Sequence, residues 1–139
     1  MNHSGELEGI DVAWLAVDAL GQVAIFTTAG EGSVPETAFA SVESAEESVR
    51  SLAEISGYEL HASVNRPDDF IAFAKRGLFA YDWSDVHRAA SKCLGGYELQ
   101  VRPSSPLRLS QLPTPVQALA SATLLSGVTF GSHIVTLGT

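Results

Sequence analysis

The chain has 139 residues, of which 45% are hydrophobic and 17% are charged, and its formal net charge is −8. This composition is that of a globular protein and excludes an intrinsically disordered chain. A chain of this length is long enough to bury a sizeable core, and one cysteine excludes an internal disulfide framework and is typical of a reducing compartment.

The N-terminal segment does not have the pattern of a secretory signal. It lacks a basic n-region, and its apolar run is interrupted by Asp11 and Asp18. No stretch of the chain approaches the length of uncharged apolar sequence that a membrane-spanning helix needs. We therefore expect a cytoplasmic protein that does not bind membranes, built as one domain over residues 1–139 with residues 1–8 flexible.

The charge is unevenly distributed along the chain. Residues 1–59 contain eleven acidic residues and one arginine, whereas residues 60–139 contain five acidic and seven basic residues. An acidic half repels the phosphates of nucleic acids and of anionic lipids and favours a cationic partner. We expect no nucleic-acid binding, and the alternative is that the acidic residues only keep the protein soluble.

The start of the chain predicts a β-hairpin. Residues 10–18 are apolar on both faces of a strand, and residues 23–28 are rich in β-branched and aromatic side chains. Between them Gly21 supplies the positive φ that a short hairpin turn needs. The pairing should bring Trp14 close to Phe26.

The clearest helix follows the glycine-rich loop and is predicted over residues 44–56. Apolar residues recur there at spacings of three and four, Ser44 and Glu47 form a capping-box pattern, and Gly57 ends the helix.

Later elements alternate irregularly between strands and helices. We predict strands over 58–64, 78–83 and 97–103, helices from 67 to 76, from 84 to 96 and from 115 to 126, and a closing strand or hairpin after 127. This order indicates an α+β fold: a mainly antiparallel, curved sheet that starts with the N-terminal hairpin and has two to four helices packed on it.

The loop over residues 27–35 is glycine-rich but lacks the lysine of a phosphate-binding loop, and Glu31 lies in its middle, where it would repel a phosphate. The nucleophile-elbow pattern does not occur, and the four histidines have no metal-ligand spacing. We therefore predict no catalytic residue, no cofactor and no metal, and hence no enzyme.

Aromatic and acidic residues occur together in the stretch "YDWSD", which is typical of a protein interface. Phe39 is a further candidate for a buried aromatic anchor. The residues predicted to bind a partner are Asp18, Glu31, Glu36, Tyr81, Asp82, Trp83 and Asp85.

Three stretches give the chain a resemblance to a known class of proteins: "DVAWLAVDALGQVAIFTTAGEGSVP", "LFAYDW" and "YELQVRPSSPLRLSQLP". The chain resembles the small, acidic, single-domain immunity proteins that accompany bacterial polymorphic and type VI secretion toxins. The resemblance implies that it binds one cognate toxin in the cytoplasm and neutralises it by occlusion, and the acidic half predicts a basic surface on that toxin.

Two other classes of function stay open. One is a small-molecule-binding module with a pocket between a helix and the sheet. The other is an enzyme that uses His87, which lies close to Ser84 and Asp85, or Cys93, which lies beside Lys92.

Overall fold

The computed structural model describes residues 10–61, 67–83 and 96–137. Its strands are β1 (Ala13–Asp18), β2 (Val23–Thr27), β3 (Tyr58–Leu60), β4 (Phe79–Trp83), β5 (Tyr97–Pro103), β6 (Leu124–Leu125) and β7 (Ile134–Val135). Its α-helices are α1 (Ala45–Arg50), α2 (Asp68–Lys75) and α3 (Thr114–Ser121), and two short 3-10 helices are η1 (Glu36–Ser41) and η2 (Leu109–Gln111).

The strands form one open, mixed sheet in the order β3-β5-β4-β2-β1-β6, and β7 also pairs with β5. Four of these pairs are antiparallel, and two pairs, β2 with β4 and β1 with β6, are parallel. The predicted α+β class is therefore confirmed, with antiparallel pairing dominant.

The N-terminal hairpin is also confirmed. Trp14 lies directly opposite Phe26 in the β1–β2 register, and Gly21 has a φ of 82° in the turn. Every residue of both strands is buried, because the sheet is covered on its two faces.

The two faces of the sheet have different coverings. On one face, aliphatic side chains of β1 and β2 pack against the three helices, with Val49 of α1, Phe73 of α2 and Val116 of α3 in the same cluster. On the other face lies an aromatic cluster that is covered by the loop after β2, by η1 and by the C-terminal segment. The sheet is thus the middle layer of the fold.

The aromatic cluster centres on Phe26. Its ring is stacked on Trp14 with centroids 4.2 Å apart and on Tyr81 at 5.1 Å, and the rings of Tyr97 and Phe130 meet it edge-on. Stacked and edge-to-face pairs of this kind add to the stabilisation that burial alone gives.

Two tyrosines of this cluster are fully buried but keep their hydroxyl groups hydrogen-bonded. The Tyr81 hydroxyl donates to the carbonyl of Ser132 at 2.8 Å and accepts from the N–H of Gly131 at 3.0 Å. Burial removes water from the phenol and so raises the pKa of Tyr81 to about 12, against a small opposing effect of the Gly131 hydrogen bond. Burial likewise raises the pKa of Tyr97.

The raised pKa of Tyr81 predicts a loss of stability at alkaline pH. The unfolded chain releases this proton near pH 10 and the folded chain near pH 12, so the neutral phenol stabilises the fold fully below pH 10 and progressively less up to pH 12. In urea titrations at several pH values, we expect Tyr81→Phe to lower stability at pH 7, because its hydroxyl bonds are lost, and to flatten the decline between pH 10 and 12. If the free energy of unfolding falls equally steeply between pH 10 and 12 in the variant and in the parent, the Tyr81 phenol does not cause the alkaline loss of stability.

The predicted helix over 44–56 is shorter than its sequence pattern indicates. Helix α1 ends at Arg50, and the Ser44 side chain makes no capping hydrogen bond, so the capping-box prediction is wrong. After the helix, the backbone N–H groups of Ile55 and Ser56 donate to the carbonyl of Lys75 at the end of α2. These hydrogen bonds to α2 hold Ile55 and Ser56 in a non-helical conformation.

Other predicted elements are confirmed with shifted ends. Helix α2 and strands β4 and β5 lie where they were predicted. Helix α3 begins at Thr114 and ends at Ser121, before the predicted stop at Gly127, because β6 intervenes. Residues 1–9, the end of the predicted strand over 58–64 and residues 84–95 of the predicted helix lie outside the described residues.

The glycine-rich loop after β2 is a structural turn. Ala29 and Gly30 have φ values of 51° and 81°, and the N–H of Glu31 donates to the carbonyl of Thr28 at 2.9 Å. Two consecutive positive φ values are the signature of a tight turn that favours glycine. This backbone geometry therefore explains Gly30.

No helix in the described part of the chain has both the length and the apolar character that crossing a membrane requires.

Candidate protein-binding groove

Two of the predicted partner-binding residues are buried. Asp18 is 1% exposed, and its carboxylate accepts hydrogen bonds from the N–H groups of Leu20, Gln22 and Phe130 and from the side chain of Gln22. Tyr81 belongs to the aromatic cluster. Neither side chain is at the surface, so the expectation that they contact a partner directly is corrected.

The other described residues of the predicted set are more accessible than Asp18 and Tyr81. Glu31 and Glu36 are exposed. Asp82 is half-buried and accepts a hydrogen bond from the Thr27 hydroxyl, and Trp83 packs edge-on against Tyr97. Phe39 is partly buried against the aromatic cluster, and Asp85 lies outside the described residues.

The structure also brings acidic side chains together around a groove beside β1. This acidic groove has a volume of about 470 Å³ and lies between the segment that enters β1 and helix α1. Its carboxylates are Asp11, Glu43, Glu46 and Glu47, all of which are exposed. Its remaining lining residues are Val12, Ala13, Val42 and Arg50.

The sequence of α1 explains why two of these carboxylates face away from the sheet. Glu46 and Glu47 are adjacent in the first turn of α1, and Glu43 lies in the turn just before the helix. Ala45 and Val49 lie on the opposite face and are buried against the sheet. Packing of that apolar face thus turns the carboxylates towards the groove.

The arginine of the groove is held by another helix. Its guanidinium lies 2.7 Å from the carboxylate of Asp69 on α2 and over the ring of Phe73, 5.5 Å from the ring centroid. Among the described residues, Arg50 makes no ion pair with the groove carboxylates, although Glu46 and Glu47 are one helical turn away. Counting Asp69 and Arg50 with the four groove carboxylates, the region has a net charge of −4.

The N-terminal wall of the groove is fixed by the turn after β2. The carboxylate of Asp11 accepts a hydrogen bond from the N–H of Ala29 at 3.1 Å, and the N–H of Val12 donates to the Thr28 hydroxyl at 3.1 Å. Glu31 lies two residues beyond this contact. The tight turn therefore positions Asp11 opposite α1.

The acidic groove was only partly predicted from the sequence. The excess of acidic residues before residue 60 indicates this half of the chain, but Glu46 and Glu47 fall within the predicted helix over 44–56, Glu43 falls just before it, and none of the three is among the predicted partner-binding residues. The adjacent Glu46 and Glu47, with the apolar Ala45 and Val49 on the opposite face of the helix, were the signal that could have identified them.

A second, less polar groove of about 310 Å³ lies where the chain leaves α1. It is lined in part by Leu52, Ile55, Leu107 and Leu112 and by Arg76, whose guanidinium donates to the carbonyls of Leu52 and Ala72. This groove lies between the segment after α1 and the segment that contains η2, so it is not a pocket between a helix and the sheet.

Among the described residues, no group of three or more His, Cys, Asp and Glu side chains is placed to hold a metal ion. His133 lies 3.5 Å from the Glu98 carboxylate near the start of β5. His87 and Cys93, which the enzyme alternative requires, lie outside the described residues.

Comparisons of this chain with protein-family models, with curated proteins and with solved structures give no significant match.

Proposed function

We propose that the chain is an immunity protein that binds a cognate bacterial toxin through the acidic groove and neutralises it by occlusion. The observation that supports this most is the net charge of −4 around a groove whose lining also includes Val12, Ala13 and Val42. The resemblance of the sequence to small acidic immunity proteins points to the same class.

The chemistry of the groove favours a cationic protein as its partner. Carboxylates accept strong, charge-assisted hydrogen bonds from lysine and arginine side chains. Val12 and Val42 offer apolar surface to the aliphatic stems of those side chains. Phosphate groups of nucleic acids would be repelled by the same carboxylates.

Charge complementarity also gives the partner a fast and selective encounter. An acidic surface attracts a basic cleft over a distance of about 10 Å at moderate ionic strength. Such steering raises the association rate and suppresses wrong partners more than it increases affinity. A toxin that acts on nucleic acid carries a basic cleft of this kind, and covering that cleft would block its substrate.

A growth assay tests the proposal. The toxin domain encoded by the neighbouring gene is expressed in a bacterial host together with this chain, and we expect the parent chain to restore growth. Glu43→Lys/Glu47→Lys reverses two groove charges and should abolish the protection, because lysines would face the basic cleft of the toxin.

The matched control is Glu54→Lys/Glu59→Lys, which makes the same change in net charge outside the acidic groove. Glu54 and Glu59 are exposed and lie 3.8 Å from Arg76 and Arg102, and surface pairs of this kind contribute little to stability. We expect this variant to protect the host. Equal protection by both variants would rule out the groove, and no protection by the parent chain would rule out the immunity function.

A further inference from the structure

Strand β3 is an edge strand in the part of the sheet that the structure describes. It lies at the end of the sheet and pairs only with β5 among the described strands. The N–H of Ser104 donates to the carbonyl of Gly57, and the N–H of His61 donates to the carbonyl of Gln100. Because hydrogen-bonded pairs alternate along an antiparallel ladder, Glu59 is bonded to β5, whereas the backbone groups of Tyr58 and Leu60 point away from it.

The side chains of this edge are exposed and mainly apolar. Tyr58 is 40% exposed and Leu60 is 56% exposed, and the alternation of a strand places them on the same face. Ile55, just before the strand, is 52% exposed. Natural edge strands are usually protected by charges, prolines or bulges, and Glu59 is the one charged residue of β3.

A cation lies beside this apolar surface. The Lys75 ammonium at the end of α2 is 6.0 Å from the centroid of the Tyr58 ring. Glu59 points to the opposite face of the sheet, where it lies 3.8 Å from Arg102. The face that carries Tyr58 and Leu60 therefore has apolar side chains with the Lys75 ammonium beside them, unlike the acidic groove.

We propose that the β3 edge, defined as Tyr58 and Leu60 with their backbone groups that point away from β5, is a second interaction surface that binds an extended segment of a partner polypeptide as an added strand. The N–H and C=O groups of these two residues specify a strand-like backbone. Tyr58 and Leu60 select apolar side chains at alternate positions of that segment, and Lys75 selects a carboxylate on the same face. This inference does not depend on the acidic groove or on the immunity function.

A second copy of this chain fits the edge poorly. Two-fold antiparallel pairing of β3 with itself would place Glu59 of each copy directly opposite the other, in the closely spaced type of cross-strand pair. Like charges in that position are destabilising, and each copy carries a net charge of −8. An acidic and apolar segment of a different polypeptide has the complementary charge for Lys75.

The experiment measures amide hydrogen exchange by NMR with the peptide acetyl-Thr-Val-Thr-Val-Thr-Glu-Thr-amide, whose valines and glutamate share one face of a strand. In the free protein, we expect the amides of Tyr58 and Leu60 to exchange much faster than those of Glu59 and His61. Peptide at about 1 mM, which occupies roughly half of the protein if recognition is in the weak millimolar range, should slow exchange at Tyr58 and Leu60 about twofold. The same peptide with lysine in place of glutamate should slow it less.

Two controls test the backbone mechanism. A peptide that is N-methylated at alternate residues cannot complete the ladder and should have no effect on the parent protein. Leu60→Pro removes an N–H that β5 does not use, and prolines are tolerated on edge strands in this orientation, so the variant should fold and lose the protection of Tyr58 by the peptide.

Three results would overturn the proposal. The first is that the unmethylated peptide has no effect on Tyr58 and Leu60, and the second is that the methylated peptide slows their exchange equally. The third is that exchange at these amides slows with protein concentration alone, which would assign the edge to a second copy of the chain.

Discussion

Replacing Asp18 with alanine is expected to lower the free energy of unfolding by about 4 kcal/mol, because a buried carboxylate that accepts four hydrogen bonds would be lost. One of its oxygens accepts from the N–H groups of Leu20 and Gln22 and fixes the hairpin turn. The other accepts from the Gln22 side chain and from the N–H of Phe130, which is buried in the aromatic cluster. The loss should appear as a lower midpoint in urea titrations followed by tryptophan fluorescence.

The two oxygens of Asp18 can be tested separately with Asp18→Asn. The amide keeps one acceptor oxygen for the hairpin turn but presents an NH₂ group to donors on the other side. We expect an intermediate loss of stability, with faster amide exchange at Phe130 and unchanged exchange at Leu20. Stability of Asp18→Ala within 1 kcal/mol of the parent would show that the carboxylate does not hold the hairpin to the C-terminal segment.

Replacing Gly32 with alanine is expected to lower the free energy of unfolding by about 2–3 kcal/mol through overpacking. A Cβ atom at this position would lie 2.5 Å from the hydroxyl oxygen of Tyr97 and 3.1 Å from the Cβ of Trp83. The Tyr97 ring cannot move aside easily, because it is fully buried and its hydroxyl donates to the carbonyl of Ser33 and accepts from the indole N–H of Trp14. Thermal unfolding followed by circular dichroism measures the effect.

Gly127→Ala is the matched control for Gly32→Ala. No atom lies within 4 Å of a Cβ built on Gly127, and its φ is not in the left-handed region. The control should leave the unfolding temperature unchanged or raise it slightly, since alanine restricts the unfolded chain more than glycine does. If both variants unfold at the same temperature, the close approach of Gly32 to Tyr97 has no energetic consequence.

The parts of the fold that follow from local sequence were predicted well. The register of the hairpin, with Trp14 opposite Phe26, follows from two apolar stretches and one short turn that contains Gly21. Helix α2 was predicted because acidic residues lie in its first turn, basic residues lie at its end and Gly77 follows. In each case the determining residues lie within a few positions of one another.

The errors arose where distant residues decide the outcome. Helix α1 ends early because the segment after it bonds to the carbonyl of Lys75, about 20 positions further along the chain. The sequence places Asp18 in a hairpin turn, where a carboxylate is usually exposed. It is buried because it also accepts a hydrogen bond from the backbone N–H of Phe130, 112 positions away. Neither contact leaves a periodic or compositional signal near the residue concerned.

The acidic groove could be predicted from the sequence only in part. Composition predicted an acidic surface in the first half of the chain, and the structure places Glu43, Glu46 and Glu47 together on it. Asp11 joins them only through the hydrogen bond of its carboxylate to the turn after β2. A site built from two segments about 30 positions apart requires the fold to be known.

The salt dependence of association with the toxin tests the central claim most directly. In stopped-flow experiments, the association rate of the parent chain should fall about tenfold or more between low and physiological salt, and Glu43→Gln/Glu47→Gln should associate more slowly with a shallower dependence. Identical rates for parent and variant across that range of salt would contradict the claim that the acidic groove receives a cationic partner.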